Sequence, residues 1–229
     1  MKLSIACTLV LAAIFSSCSK NHIDKPVNNT LFHVSLSPVI KTANDVTPTQ
    51  ILGGKALLTF TSVKNDSLSI SELKDTVVLS NALLSKQVSS GTYNITLQTI
   101  STAPVDTFIR FNAQVKDLAV HQDQTISLNA NTSDGVITIN KNAISTSIPP
   151  TFILSGSAQP FNLGSNGNYY YIYVKGSVTG KITFYDAANN VYMKYITVDA
   201  MTQYDILPNL QTGALAVSKH ALHFIAKPL

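Results

Sequence analysis

The chain is short of cysteine and of charge. Two cysteines occur in 229 residues, Cys7 and Cys18, both near the start. Beyond residue 18 no disulfide and no thiolate metal site can form, so the fold there must be held by its core. Charged residues make up 12% of the chain, against ~25% in ordinary globular domains. Arg110 is the single arginine, Glu72 the single glutamate, and tryptophan is missing. One arginine leaves little for clamping phosphate or carboxylate. The formal net charge of +4 comes from scattered lysines, with no basic stripe of the kind nucleic-acid binding needs. No Gly-x-Ser-x-Gly, no phosphate-binding Walker loop and no nucleophilic cysteine is present. The sequence reads as that of a non-enzyme, with an envelope hydrolase as a remote alternative.

What is present begins with the N-terminus. Lys2 precedes an apolar run from Leu3 to Phe15. That run is shorter than the ~20 residues that span a bilayer, and it ends in small residues. It reads as a signal peptide, 1–17, which takes Cys7 with it on removal. No second apolar segment of membrane length follows. Residues 18–30 read as a polar tether.

From Leu31 the pattern changes to short alternating strands with frequent turn residues. Leu31–Ser37, Ala56–Val63, Thr92–Ile100 and Thr107–Val115 each alternate or carry β-branched and aromatic residues. Leu68–Val88 is mixed, a strand followed by a helical or looped piece. Asp134-Gly135 between Gln124–Ala130 and Val136–Asn140 predicts a hairpin. Pro149-Pro150 marks a boundary. Beyond it come a tyrosine-rich strand at Asn168–Lys175, a hairpin of Val178–Tyr185 with Val191–Asp199, and strands at Gln203–Leu207, Ala214–Lys219 and Leu222–Lys227. The expected fold is all-β, two small β-sandwich domains at 31–146 and 151–229.

Candidate sites are few. Eight of nine tyrosines lie beyond residue 150. Tyr169, Tyr171 and Tyr173 share one strand face, and exposed they would make a stacking platform for a glycan or a protein partner. Covered on both sides, they would be core. His220 and His223 point to opposite faces of a strand, which argues against a metal site. The loops at Asp186–Asn190 and Asn131–Asp134 have too few carboxylates for calcium and read as turns. No cofactor is expected.

Phe15-Ser16-Ser17-Cys18 resembles the lipobox of bacterial lipoproteins, with Phe and Ser at two variable places as in lipoproteins of the Bacteroidota. The resemblance implies that Cys18 carries the lipid, palmitate-type acyl chains included, and becomes the first mature residue. Ser19 in place of Asp implies the outer membrane. No acidic run of the surface-display type follows the cysteine, so the face of that membrane stays open. Ser90-Gly91-Thr92-Tyr93-Asn94-Ile95 is similar to a Gly-x-Tyr strand element of Bacteroidota surface β-domains. Two small sandwiches behind a lipobox look like fimbrillin-type pilus and anchor subunits, implying adhesion or surface assembly. Asp66-Ser67-Leu68 and Asp75-Thr76-Val77 resemble the Bacteroidota O-glycosylation acceptor, implying glycans on Ser67 and Thr76.

Overall fold

The computed structural model describes residues 30–38, 41–42, 54–63, 72–79, 84–209 and 214–223. Cys18, residues 1–17 expected to be a signal peptide, and Ser67 lie outside them. Strands dominate, with one short 3-10 turn at Lys141–Ala143. The expectation of an all-β chain holds.

The first sheet holds β1 (Leu31–Pro38), β3 (Lys55–Ser62), β4 (Glu72–Val78), β5 (Leu84–Ser89), β6 (Gly91–Thr99), β8 (Asn112–Val120) and β9 (Gln124–Asn131). Their spatial order is β4-β3-β6-β8-β9-β1-β5. β1 lies parallel to β9 and antiparallel to β5. Alternation explains the packing. In β6, Tyr93, Ile95 and Leu97 face inward and are fully buried. The sheet curls until its two edge strands meet, where Lys86 of β5 pairs with Asp75 of β4.

The second sheet adds β2 (Lys41–Thr42), β7 (Val105–Asp106), β10 (Asp134–Asn140), β13 (Gly164–Asn166), β14 (Tyr169–Lys175), β17 (Thr202–Asn209) and β18 (Ala214–His223). Its order is β13-β14-β10-β17-β18-β2, with β7 also on β14. The third sheet is β12-β11-β15-β16, built from β11 (Thr151–Leu154), β12 (Pro160–Asn162), β15 (Thr179–Tyr185) and β16 (Val191–Thr197).

The second sheet is the hub, because its two central strands bury both faces. Val136, Tyr171 and Tyr173 join the core of the first sheet, with Phe60, Tyr93 and Ile95. Ile137, Ile139, Tyr170, Ile172 and Val174 join the other core, with Phe152, Ile182 and Phe184 from the third sheet. A strand covered on both sides needs a near-continuous apolar run. Tyr-Tyr-Tyr-Ile-Tyr-Val supplies one.

Several local expectations change. The expected hairpin at Ser133-Asp134-Gly135 does not form. β9 pairs with β8 and β1, whereas β10 leaves for the second sheet and pairs with β14 and β17. Asp134 spends its carboxylate on Arg110 instead of on a turn. Gly135 is needed for space: a Cβ there would sit 2.6 Å from the Asp199 carbonyl and 2.7 Å from that of Thr202. The helical option within Leu68–Val88 is replaced by strands β4 and β5, as the β-branched Thr76-Val77-Val78 favours. Thr107–Phe111 is not strand. The Asp106 carboxylate accepts from the backbone N–H groups of Thr107 and Phe108 and turns the chain there. Ile109, Arg110 and Phe111 are then buried consecutively. The two strands expected at Ala214–Lys219 and Leu222–Lys227 are one, β18, as far as the described residues run. The hairpin of β15 and β16 forms as expected across Asp186–Asn190.

Candidate functional site

The tyrosine strand is the first place to look for a binding surface. Its residues lie on β14 with the alternation expected, but Tyr171 and Tyr173 are 5% and 2% exposed. Their rings meet edge-on with centroids 5.8 Å apart. The Tyr171 ring also covers Gly164 of β13, where a Cβ would come within 2.6 Å of it. Burial raises the Tyr171 hydroxyl above its ordinary value. Tyr169 is half-buried at the end of the strand. In this fold the ladder is interior packing, because β14 has the first sheet on one side and the third on the other. A sugar ring cannot reach two of its three members.

A polar cleft of about 520 Å³ opens where the first and second sheets meet. It is lined by Gln98, Thr99, Asn112, Asn131, Ser133 and Lys175, among others, with Arg110 and Phe111 in its wall. The register of the first sheet sets the lining. Gln98 on β6 lies opposite Asn112 on β8, and Asn112 lies opposite Asn131 on β9. Directly opposed residues share a face, so three exposed amides form one row across three strands.

Beneath the row sits a buried ion pair. Asp134 is fully buried and Arg110 nearly so. The Arg110 backbone N–H and its Nε both donate to Asp134 Oδ2, each at 2.9 Å. Nη2 lies 2.6 Å from Oδ1, close in charge but without hydrogen-bond alignment. Thr132 Oγ1 donates to the Arg110 carbonyl and accepts from the Asp134 N–H at 2.9 Å. The pair therefore fixes the link from β9 to β10 against the segment before β8. Lys175, on the rim, has no carboxylate within ion-pair distance among the described residues.

A second surface lies on the far side, on the outer face of the third sheet. β16 is its edge strand, with Val191, Met193 and Tyr195 exposed to 50%, 57% and 68%. The partly buried Tyr185, Thr183 and Lys181 of β15 lie opposite them in register. The inward face carries Tyr192, Lys194 and Ile196. Lys194 reaches across to the Leu215 carbonyl on β18 at 3.2 Å. An inward-pointing lysine on an edge strand guards it against strand addition. What the strand leaves open to solvent is its outer face.

Other sequence-selected residues fall as follows. Thr76 is exposed on edge strand β4. No acid lies near His220 in sequence, but the fold brings Asp205 to 3.3 Å from its Nε2. Asp205 also accepts from Thr138 Oγ1, and from Gln203 Nε2 at 2.8 Å, so this is a cross-strand polar cluster. A further serine–histidine contact comes from the fold, with Ser90 Oγ 2.8 Å from His121 Nδ1. Among the described residues no carboxylate reaches the other ring nitrogen, and no group of three metal-ligating side chains gathers. In the Asp186 loop the carboxylate accepts from the backbone N–H groups of Ala188 and Asn190, from Asn190 Nδ2 and from Tyr192 Oη. Its oxygens serve the turn, and Asn189 takes the left-handed conformation at φ 63°.

Among the described residues three carboxylates are held below the ordinary range. Asn190 does so for Asp186, Tyr204 with Lys219 for Asp199, and Lys86 for Asp75. A depressed folded-state value stabilises above the unfolded carboxylate range of ~3.9 and is lost as pH falls through the folded values. We therefore expect a flat urea midpoint from neutral pH to about pH 5, falling below ~4. Asp186→Asn should flatten that acid limb. An unchanged limb would discount the turn as a source of acid sensitivity.

No protein-family model matches the chain, and no curated protein matches it in sequence. Among solved structures it is similar to the tip fimbrial protein Mfa3 of Porphyromonas gingivalis with C-terminal truncation, at 8% identity and TM-score 0.41 over 84% of this chain and 100% of that one. It is similar to a proposed cell adhesion protein of Bacteroides uniformis, at 9% identity and TM-score 0.47 over 86% and 98%. A proposed polysaccharide-binding protein (DUF1812) of Bacteroides thetaiotaomicron gives 10% identity and TM-score 0.37 over 85% and 98%. At such scores and identities the likeness says nothing of ligand or partner.

Proposed function

We propose that the chain is a non-enzymatic adhesion or surface-assembly component of the bacterial outer membrane, held there by lipid on Cys18. The observation that carries the reading is the outer face of the third sheet. Val191, Met193 and Tyr195 stand exposed in one row on a strand whose inward side is fully engaged. Exposed apolar rows with a polar surround suit contact with another protein chain. Thr76, exposed on β4, is the acceptor that a glycosylating enzyme could reach.

The test pairs Met193→Thr with Tyr195→Thr. Both sites are exposed, so the melting temperature should stay within a few degrees. Cells displaying the double variant should lose attachment and co-aggregation. Attachment equal to that of the parent would overturn the contact face. Cys18→Ala should abolish acylation and release the product from the membrane fraction.

Glycan binding is the second reading. With Tyr171 and Tyr173 inside the molecule, it moves from the tyrosine strand to the polar cleft.

A further inference from the structure

We propose that the cleft between the first and second sheets is a saccharide site, with the amide row Gln98–Asn112–Asn131 as its floor and Lys175 as the contact for an acidic sugar substituent. It rests on the glycan reading and on none of the residues of the β16 face.

Three observations point to this class of ligand. The floor is made of planar amides, each offering two donors and an acceptor. Gln98, Asn112 and Asn131 are exposed, and none makes a side-chain hydrogen bond within the protein among the described residues. Their register lines them up across neighbouring strands. Thr96 and Gln114, both exposed, lie opposite each other two residues on in the same register, so the polar surface continues along β6 and β8. Such a grid matches the hydroxyl-rich edge of a sugar chain, whose vicinal groups both donate and accept.

Peptide recognition fits poorly. Strand addition needs an unpaired edge, but β6, β8 and β9 each have neighbours on both sides, and so does β14. Groove binding needs open apolar pockets, and the cleft's large apolar ring, Phe111, is buried. At about 520 Å³ the space falls within the ~300–1,000 Å³ of ordinary ligand sites, and all but one of its lining residues carry polar or charged side chains.

Charge narrows the ligand further. Arg110 is neutralised by Asp134 beneath the floor. That leaves Lys175 as the net charge of the lining. A uronic or similar carboxylate placed beside Lys175 gains a charge-assisted contact that a neutral sugar lacks.

The experiment is titration calorimetry on the purified full chain with three sets of probes. These are oligomers of polygalacturonate, alginate and hyaluronan, neutral dextran oligomers, and acetylated acidic tripeptides. At least one acidic oligomer should bind, more tightly than any neutral one. Asn112→Ala, at the centre of the row, should weaken it about tenfold with the melting temperature unchanged, which corresponds to about 1.4 kcal/mol. Lys175→Gln should remove the preference for acid over neutral sugar. Binding by no oligomer, equal binding by both variants, or binding of the tripeptides alone would overturn the site. The Met193/Tyr195 variant should bind sugar as the parent does, so loss of adhesion and loss of sugar binding remain separate results.

Discussion

Asp134→Ala should lower the free energy of unfolding by about 3–5 kcal/mol. The carboxylate is wholly enclosed and takes two hydrogen bonds from one arginine. Its removal leaves the Arg110 guanidinium enclosed, with a weak contact to the Pro104 carbonyl at 3.4 Å and no counter-charge. Breaking one partner of such a pair costs more than removing both. Arg110→Leu combined with Asp134→Leu should therefore recover more than half of the loss. Urea unfolding of the two singles and the double gives the coupling energy directly. A cost below about 1 kcal/mol for the single change would show that water reaches the pair freely.

Tyr173→Ala is expected to be of similar size, about 3–5 kcal/mol, the usual cost of truncating a buried aromatic side chain. The ring is nearly inaccessible and stands in the core of the first sheet although its strand belongs to the second. Truncation thus opens a hole between two layers. Tyr173→Phe keeps the ring and should cost about 1 kcal/mol. Denaturant midpoints for the pair separate packing from the hydroxyl. If Tyr173→Ala folds with near-parent stability, the ring is not core, and the tyrosine platform becomes available again.

That strand shows how far the sequence could be read. Alternation correctly placed Tyr171 and Tyr173 on one face and Tyr170, Ile172 and Val174 on the other. Period two says nothing about what covers each face, which depends on partners far along the chain. The near-continuous apolar run from Tyr169 to Val174 was the available signal of a central strand. The Asp134-Gly135 hairpin failed for a related reason. Turn chemistry is local, whereas the partner that claims Asp134 lies twenty-four residues earlier. Its being the sole arginine of a charge-poor chain was a hint that it is committed to one carboxylate. The amide row was visible only as polar positions at Gln98, Asn112 and Asn131. Its existence depends on strand register, which no window of sequence contains. The turn at Asp186–Asn190 was legible because all its hydrogen-bond partners lie within six residues.

The placement of β1 has a mechanical consequence. This strand is clamped between β9 and β5, with partners along both of its sides. A pull transmitted from the N-terminal side runs along that strand and loads its two ladders in shear, many bonds together. An outermost strand would instead peel away one bond at a time. Interior placement makes the N-terminal strand of the described fold resistant to being drawn out lengthwise.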